Sequence, residues 1–363
     1  MREHSRSLSS FGTSEHNSHL PWIENVRGDE WSRWDRQLQE DFLDQAVQYW
    51  HRRGFPYYEL SPRQIRRECE LLCNTDPDRI FRGDTLISSG TGLRLANYFH
   101  PQMWHVRCTR YFSPHETFSN PVQLRAAIAK SMRIWPDRHG ARGATIRRMI
   151  RSFSNTVGVS NFRPTAARAI IHRYSPPRGR VLDFSAGYGG RLLGALSLGR
   201  RYFGIDPSGA QVRGLREMSE VCMHLFPGGG ECRISLGPAE DLLPKYKKNT
   251  FDLVFSSPPY FDRERYGEEA EQSFIRYPVF DLWLESFLRV VLLESSRVLR
   301  KGGRLVVNVG RTPNTLAQFA QDCLSGFLEL REILHLQLAQ LPYKRETSAD
   351  AFKTEPILVF EKL

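Results

Sequence analysis

The chain has little that would cross-link it or hold a metal. Its six cysteines, at 69, 73, 108, 222, 232 and 323, include no C-x-x-C pair. His100, His105, Cys108 and His115 lie close in sequence, but their spacing matches no zinc site, so no metal is expected. No signal peptide, no long apolar run and no internal repeat appear, which argues for a soluble, reduced, cytoplasmic protein without membrane contact. Acid is scarce in one region. Residues 101–180 hold 15 basic residues, 14 of them Arg, against 2 acidic ones. The formal net charge of +11 therefore sits in the first 180 residues, with 28 basic against 17 acidic, while residues 181–363 balance at 23 each. Arginine in excess over lysine suits bidentate contacts with phosphate and guanine, and a basic region beside a neutral one is the electrostatic footprint of a nucleic-acid enzyme.

The neutral half carries the chemistry. Val181–Phe184 reads as a short strand that breaks into a glycine cluster, Ser185-Ala-Gly187-Tyr-Gly189-Gly190, and then into a helix-forming run, Arg191–Leu198. A strand, glycine turn and helix in that order place free backbone N–H groups beside a nucleotide-type ligand. The dinucleotide fingerprint fails at its third position, which is Leu192. Arg201–Asp206 reads as a second strand ending in an acid that can hold two ribose hydroxyls. A third, Cys232–Leu236, leads to Glu240 and Asp241, placed to receive an adenine amino group. Asp183, Asp206 and Asp241 at successive strand ends point to a cationic, adenosine-containing cofactor rather than to NAD.

A fourth strand runs into Ser257-Pro258-Pro259-Tyr260. Two prolines fix φ and remove two donors, so the turn is stiff and presents carbonyl oxygens. With a hydroxyl before it and an aromatic face after it, the turn suits a flat ring bearing an NH2 group. No Pro-Cys stands in this loop, as carbon-5 cytosine methylation would require.

Together these segments resemble the amino-methyltransferases that use S-adenosylmethionine to methylate an exocyclic nitrogen in DNA. The resemblance covers roughly residues 155–363. It implies that Asp183, Ser185, Gly187 and Gly189 form the cofactor loop, that Asp206 binds ribose, that Glu240 and Asp241 lie at adenine, and that Ser257, Pro258, Pro259 and Tyr260 are catalytic. Asn161-Phe162-Arg163-Pro164 resembles the additional cofactor-binding segment of that family. Ser before the two prolines favours cytosine N4 over adenine N6. Structured RNA is an alternative substrate, and protein glutamine methylation and a lapsed cofactor site are remoter ones. The family usually inserts a target-recognition region that finds no room here, so recognition would fall to the N-terminal part.

The fold expected is α/β: a Rossmann-like class I methyltransferase with a mostly parallel sheet over residues 156–363, preceded by a basic, mainly helical domain over residues 21–155 and a disordered tail over 1–20. Tyr277–Leu299 and Asn314–Phe327 read as helices, and Arg304–Val309, Leu330–Leu341 and Glu355–Glu361 as strands. Double-stranded DNA is the expected partner, with the target base flipped out and the protein associated with the nucleoid. Arg147, Arg148 and Arg151 are the candidates for phosphate contact. Phe261, Tyr266, Arg276 and Tyr277 are candidates for lining the base pocket. Leu38–Trp50 and Ser61–Leu72 read as two helices about the turn Gly54-Phe-Pro56, a pairing also found in helix-turn-helix modules, while Glu268-Glu269-x-Glu271 reads as a solvated face.

Overall fold

The computed structural model describes residues 22–152, 155–228, 230–310, 315–340 and 352–363, so the expected tail at 1–20 lies outside it. Two compact units emerge, one from the segments up to Tyr57 and Trp104–Val159, the other from Tyr58–Met103 and Ser160–Leu363.

The first unit is helical, as its sequence predicts. Its longest helix, Arg36–Arg53, starts where the Asp35 carboxylate accepts the Leu38 N–H, and ends at Gly54 with φ 87°. Pro121–Ile134 is capped likewise by the Asn120 side chain. Phe42, Leu43, Ala46 and Trp50 from the first, Leu124, Ala127 and Ile128 from the second, and Ile146 and Ile150 from Gly143–Ile150 are all buried. The buried Trp50 indole donates to the Ala141 carbonyl at 2.9 Å.

The second unit is built on a nine-stranded sheet. Its strands in chain order are β1 (Phe81–Arg82), β2 (Thr85–Leu86), β3 (Arg180–Asp183), β4 (Arg201–Asp206), β5 (Cys232–Leu236), β6 (Phe251–Ser256), β7 (Leu299–Asn308), β8 (Glu329–Gln340) and β9 (Phe352–Glu361). Their spatial order is β1-β2-β8-β9-β7-β6-β3-β4-β5. The run from β7 through β6, β3 and β4 to β5 is parallel throughout; β9 enters antiparallel between β7 and β8. Alternate strand residues face opposite ways: Val181, Leu253, Phe255 and Val306 join one apolar cluster, and Leu182, Val254, Leu305 and Val307 the other. Helices Pro164–Tyr174, Gly190–Leu196 and Gly209–Met223 cover the first face, and Phe280–Val298 and Thr315–Leu324 the second. Both faces being covered is why these strands read as continuous apolar runs. This is the Rossmann-like α/β architecture that the sequence predicts.

Differences in detail have physical causes. The helix expected from Tyr277 begins at Phe280, because Pro278 disfavours a helical conformation at Tyr277. It also passes through a π-turn at Leu284–Leu288. The contact boundary lies elsewhere than 155/156, since residues 58–103 group with the sheet, where β2 pairs with β8 at Thr85–His335 and Leu86–Leu336. Helices Arg36–Arg53 and Pro62–Cys73 accordingly belong to different units. Among the described residues no helix is long and apolar enough to cross a membrane.

Candidate active site

Strand order places the site. From β3 the chain moves outward to β4 and β5, then returns to lay β6 on the other side of β3. Ligands of doubly wound sheets bind at the carboxyl edge beside such a reversal. The loops after β3 and β6 flank it, and they are the glycine loop and the Ser257-Pro-Pro-Tyr260 loop.

The glycine loop needs its glycines. Gly187 and Gly189 have φ of 56° and 76°, where a side chain is strained. A Cβ on Gly187 would meet nothing nearer than the Ser185 carbonyl at 3.8 Å, so open space lies beside this backbone. Asn161 clips the loop from outside: its amide donates to the Tyr188 carbonyl at 2.8 Å and accepts the Gly190 N–H at 3.2 Å. The Phe162 ring meets Phe255 edge-on at 5.3 Å, and Pro164 opens the next helix. Arg163 turns elsewhere, donating to the Ser88 carbonyl at 2.6 Å.

Asp183 is fully buried and saturated. One oxygen accepts from Arg191 Nε at 2.6 Å and the Tyr202 hydroxyl at 2.7 Å; the other accepts from Ser256 Oγ at 2.8 Å and the Ser185 N–H at 3.3 Å. Arg191 also donates to the Ser185 carbonyl. Asp183 thus ties the start of the glycine loop to the residue preceding Ser257.

Asp206 ends β4 and accepts the N–H groups of Gly187 at 2.8 Å and Ser208 at 3.0 Å. Burial raises its carboxyl to about 7; the two N–H groups pull it down, and the charges of Asp183 and Glu269 push it up. Because its folded value exceeds the ordinary carboxylate range, this group favours folding at low pH, and that contribution is lost as pH rises from about 4 to about 7. Beyond β5, the Arg276 guanidinium donates to Glu240 at 2.7 Å and to Asp241 at 3.0 Å.

In the loop after β6, Ser257 Oγ lies 3.1 Å from the Tyr260 hydroxyl. The Tyr260 ring rests on Gly310, where an added Cβ would come within 2.5 Å of it. Burial raises the Tyr260 phenol above its ordinary value, with Glu355 adding to this, so the hydroxyl stays protonated. Phe261 holds φ 58°, a conformation that costs roughly 1–3 kcal/mol. Its ring packs edge-on to Phe280 at 5.5 Å and Trp283 at 5.9 Å. Tyr266 donates to Glu264 at 2.8 Å.

The residues singled out for nucleic acid are thus engaged within the chain. Phe261, Tyr266 and Arg276 have the partners just given. In the helical unit, Arg147 donates to the carbonyls of Pro56 and Tyr57, and Arg151 to that of Val159 at 2.7 Å. Arg148 is exposed, its guanidinium 5.0 Å from the Trp135 ring, with Arg138 at 5.9 Å from the same ring.

Sequence reasoning missed Arg191, Tyr202 and Ser256, whose partner Asp183 is 8, 19 and 73 residues away. It also assigned Glu269 to a solvated face. Glu269 instead accepts from Ser208 Oγ at 2.8 Å and from Gln272 Nε2 at 3.1 Å, beside the Asp206 turn.

No family model matches the sequence, and no curated protein matches it. Solved structures that are similar include an S-adenosylmethionine-dependent methyltransferase from Methanosarcina mazei, at 17% identity over 53% of this chain and 97% of that one, with a TM-score of 0.37. A putative RNA methyltransferase from Pyrococcus horikoshii shares 15% identity over 55% of this chain and 83% of its own, with a TM-score of 0.36. A tRNA methyltransferase from Aquifex aeolicus shares 11% identity over 56% and 71%, with a TM-score of 0.37.

Proposed function

We propose that the protein is an S-adenosylmethionine-dependent methyltransferase that modifies the exocyclic amino group of a flipped-out DNA base, cytosine N4 in preference to adenine N6. One observation carries this reading. The Ser257-Pro-Pro-Tyr260 loop and a glycine loop with an acid-ended neighbour emerge from adjacent parallel strands, β6 and β3, and are tied together through Asp183.

The residues present fit the cofactor. Open space beside Gly187 would admit a ligand to the backbone, Asp206, held by two N–H groups, would accept ribose hydroxyls, and Glu240 and Asp241, beyond β5, would receive the adenine. When bound, the cofactor supplies an electrophilic methyl group on a sulfonium. Ser257 Oγ and the Pro258 carbonyl would accept the two hydrogens of the target NH2, drawing a planar, weakly nucleophilic nitrogen toward tetrahedral geometry. The Tyr260 ring offers the target base a face to stack on, and its hydroxyl orients Ser257. Once the nitrogen carried the methyl group, with the cofactor leaving as its neutral thioether, its extra proton would pass to water. Catalysis is alignment plus acceptors set for developing positive charge. The basic excess of residues 101–180 supports a polyanionic substrate.

The roles separate by experiment. Ser257→Ala should lower methyl transfer at saturating cofactor about a hundredfold while cofactor affinity stays near wild type. Asp206→Ala should instead weaken cofactor binding about a hundredfold, the equivalent of two charge-assisted hydrogen bonds. Only ionised Asp206 can accept both hydroxyls, so wild-type affinity should be about tenfold weaker at pH 6 than at pH 8, and flat over that range in Asp206→Asn. Equal loss of turnover and affinity in both alanine variants would refute these roles.

A further inference from the structure

The segment after the catalytic loop touches the carboxyl edge of the sheet in strict order. Tyr266 lies with its ring 6.2 Å from that of Tyr188, in the loop after β3. Glu269 accepts from Ser208, in the turn after β4, at 2.8 Å. Arg276 grips Glu240 and Asp241, just beyond β5. Strands β3, β4 and β5 are parallel neighbours: β4 and β5 end level, with Asp206 opposite Leu236, and β3 ends at Asp183, opposite Gly204, two residues short of the end of β4. At about 4.8 Å per strand, the three contacts span roughly 10 Å of the edge, and with the β6 loop itself roughly 14 Å.

Both ends of the segment are pinned to the following helix. Phe261 packs against Phe280 and Trp283, and the Trp283 indole donates to Ser273 Oγ at 3.0 Å. Between these anchors Gln272, which is buried, steers Glu269 toward Ser208. Gly267 leaves room for this: a Cβ there would meet Glu269 Oε2 at 1.8 Å, so any larger residue displaces that carboxylate.

We propose that Phe261–Tyr277 is a strap across the cofactor cleft, in which Glu269 positions the ribose beside Asp206 and Arg276 closes the adenine end. This rests on the reading of the cleft given above. The strap runs along the strand ends over the cofactor, and its three contacts must part for cofactor to enter or leave. Tyr266 and Arg276 therefore serve the cofactor rather than the target base. Nothing in the loop's sequence marks this, because each partner lies on a different strand end.

The dissociation rate of S-adenosylmethionine from the full chain, followed by stopped-flow fluorescence, tests the proposal. Glu269→Ala and Arg276→Gln should each speed dissociation about tenfold, as loss of one charge-assisted contact implies, without a matching fall in melting temperature. Glu269→Gln, which keeps an acceptor for Ser208, should fall between Glu269→Ala and wild type. Gly267→Ala should reproduce the Glu269→Ala rate with the carboxylate still in the chain. Wild-type dissociation rates in all four variants, with binding still dependent on Asp206, would overturn the strap and leave the functional reading intact. Failure of the wild-type protein to bind S-adenosylmethionine would overturn both. Wild-type rates accompanied by a raised KM for nucleic acid would assign the segment to the substrate and overturn the strap.

Discussion

Asp183→Ala will be among the most destabilising single substitutions in the sheet unit, lowering its unfolding free energy by about 3–5 kcal/mol, as breaking a buried ion pair does. Arg191, with its side chain 7% exposed, would keep its charge and lose the carboxylate that balances it. The Tyr202 hydroxyl and Ser256 Oγ would lose their acceptor as well. Each orphaned buried donor adds a desolvation cost of about 1–3 kcal/mol unless a water or a shifted neighbour relieves it. A fall in melting temperature of roughly 10 °C follows for a unit of this size. Asp183→Asn preserves the shape and one acceptor oxygen but sets an amide against donors, so it should fall between alanine and wild type. Thermal and denaturant unfolding of the three proteins measure this directly. A melting temperature for Asp183→Ala within 2 °C of wild type would show that the network contributes little.

Gly190→Ala should abolish cofactor binding, weakening it more than a hundredfold, and should lower stability by about 1–3 kcal/mol as overpacking does. A Cβ on Gly190 would lie 1.8 Å from the Phe162 carbonyl oxygen and 2.7 Å from Asn161 Oδ1. The nearer atom is backbone and cannot swing aside. Either the Asn161–Phe162 segment or the glycine loop must move, and the two Asn161 hydrogen bonds that clip the loop would be lost. Gly187→Ala separates binding from folding. Its added methyl enters open space at φ 56°, so the protein should lose only about 1 kcal/mol while the methyl occupies the ligand's approach. Isothermal titration with S-adenosylmethionine, paired with thermal unfolding, distinguishes the two variants. Retained affinity in Gly190→Ala would mean that the loop tolerates displacement from Asn161.

What could be read in the sequence was what is encoded locally. Apolar runs covered on both faces marked the strands at Arg201–Asp206 and Phe251–Ser256, and glycines and prolines marked the two loops. The rest depends on which strand ends become neighbours. Asp183 looked like a cofactor contact because it stands at a strand end. Only the folded sheet brings Tyr202 and Ser256 to it from 19 and 73 residues away. Glu269 looked like part of a solvated acidic run, and its partner Ser208 lies 61 residues upstream. Strand β2, one in from the edge, gives almost no signal in two residues, and pairs with β8 across 250 positions at Thr85–His335. Arg147 and Arg151 stood out by charge, yet their hydrogen bonds to Pro56, Tyr57 and Val159 carbonyls follow from helix packing that the charge pattern does not encode.

On the function proposed, Ser257-Pro-Pro-Tyr260 presents a base amino group to a methyl donor. Nucleoside mass spectrometry of DNA and RNA from cells expressing the protein, against cells expressing Tyr260→Ala, tests it most directly. The expected result is N4-methylcytosine in DNA that is absent from the control; N6-methyladenine there would keep the chemistry and change the base. A methyl mark confined to RNA would contradict the DNA assignment, and no new mark in either nucleic acid, from a folded protein that binds S-adenosylmethionine, would contradict the claim itself.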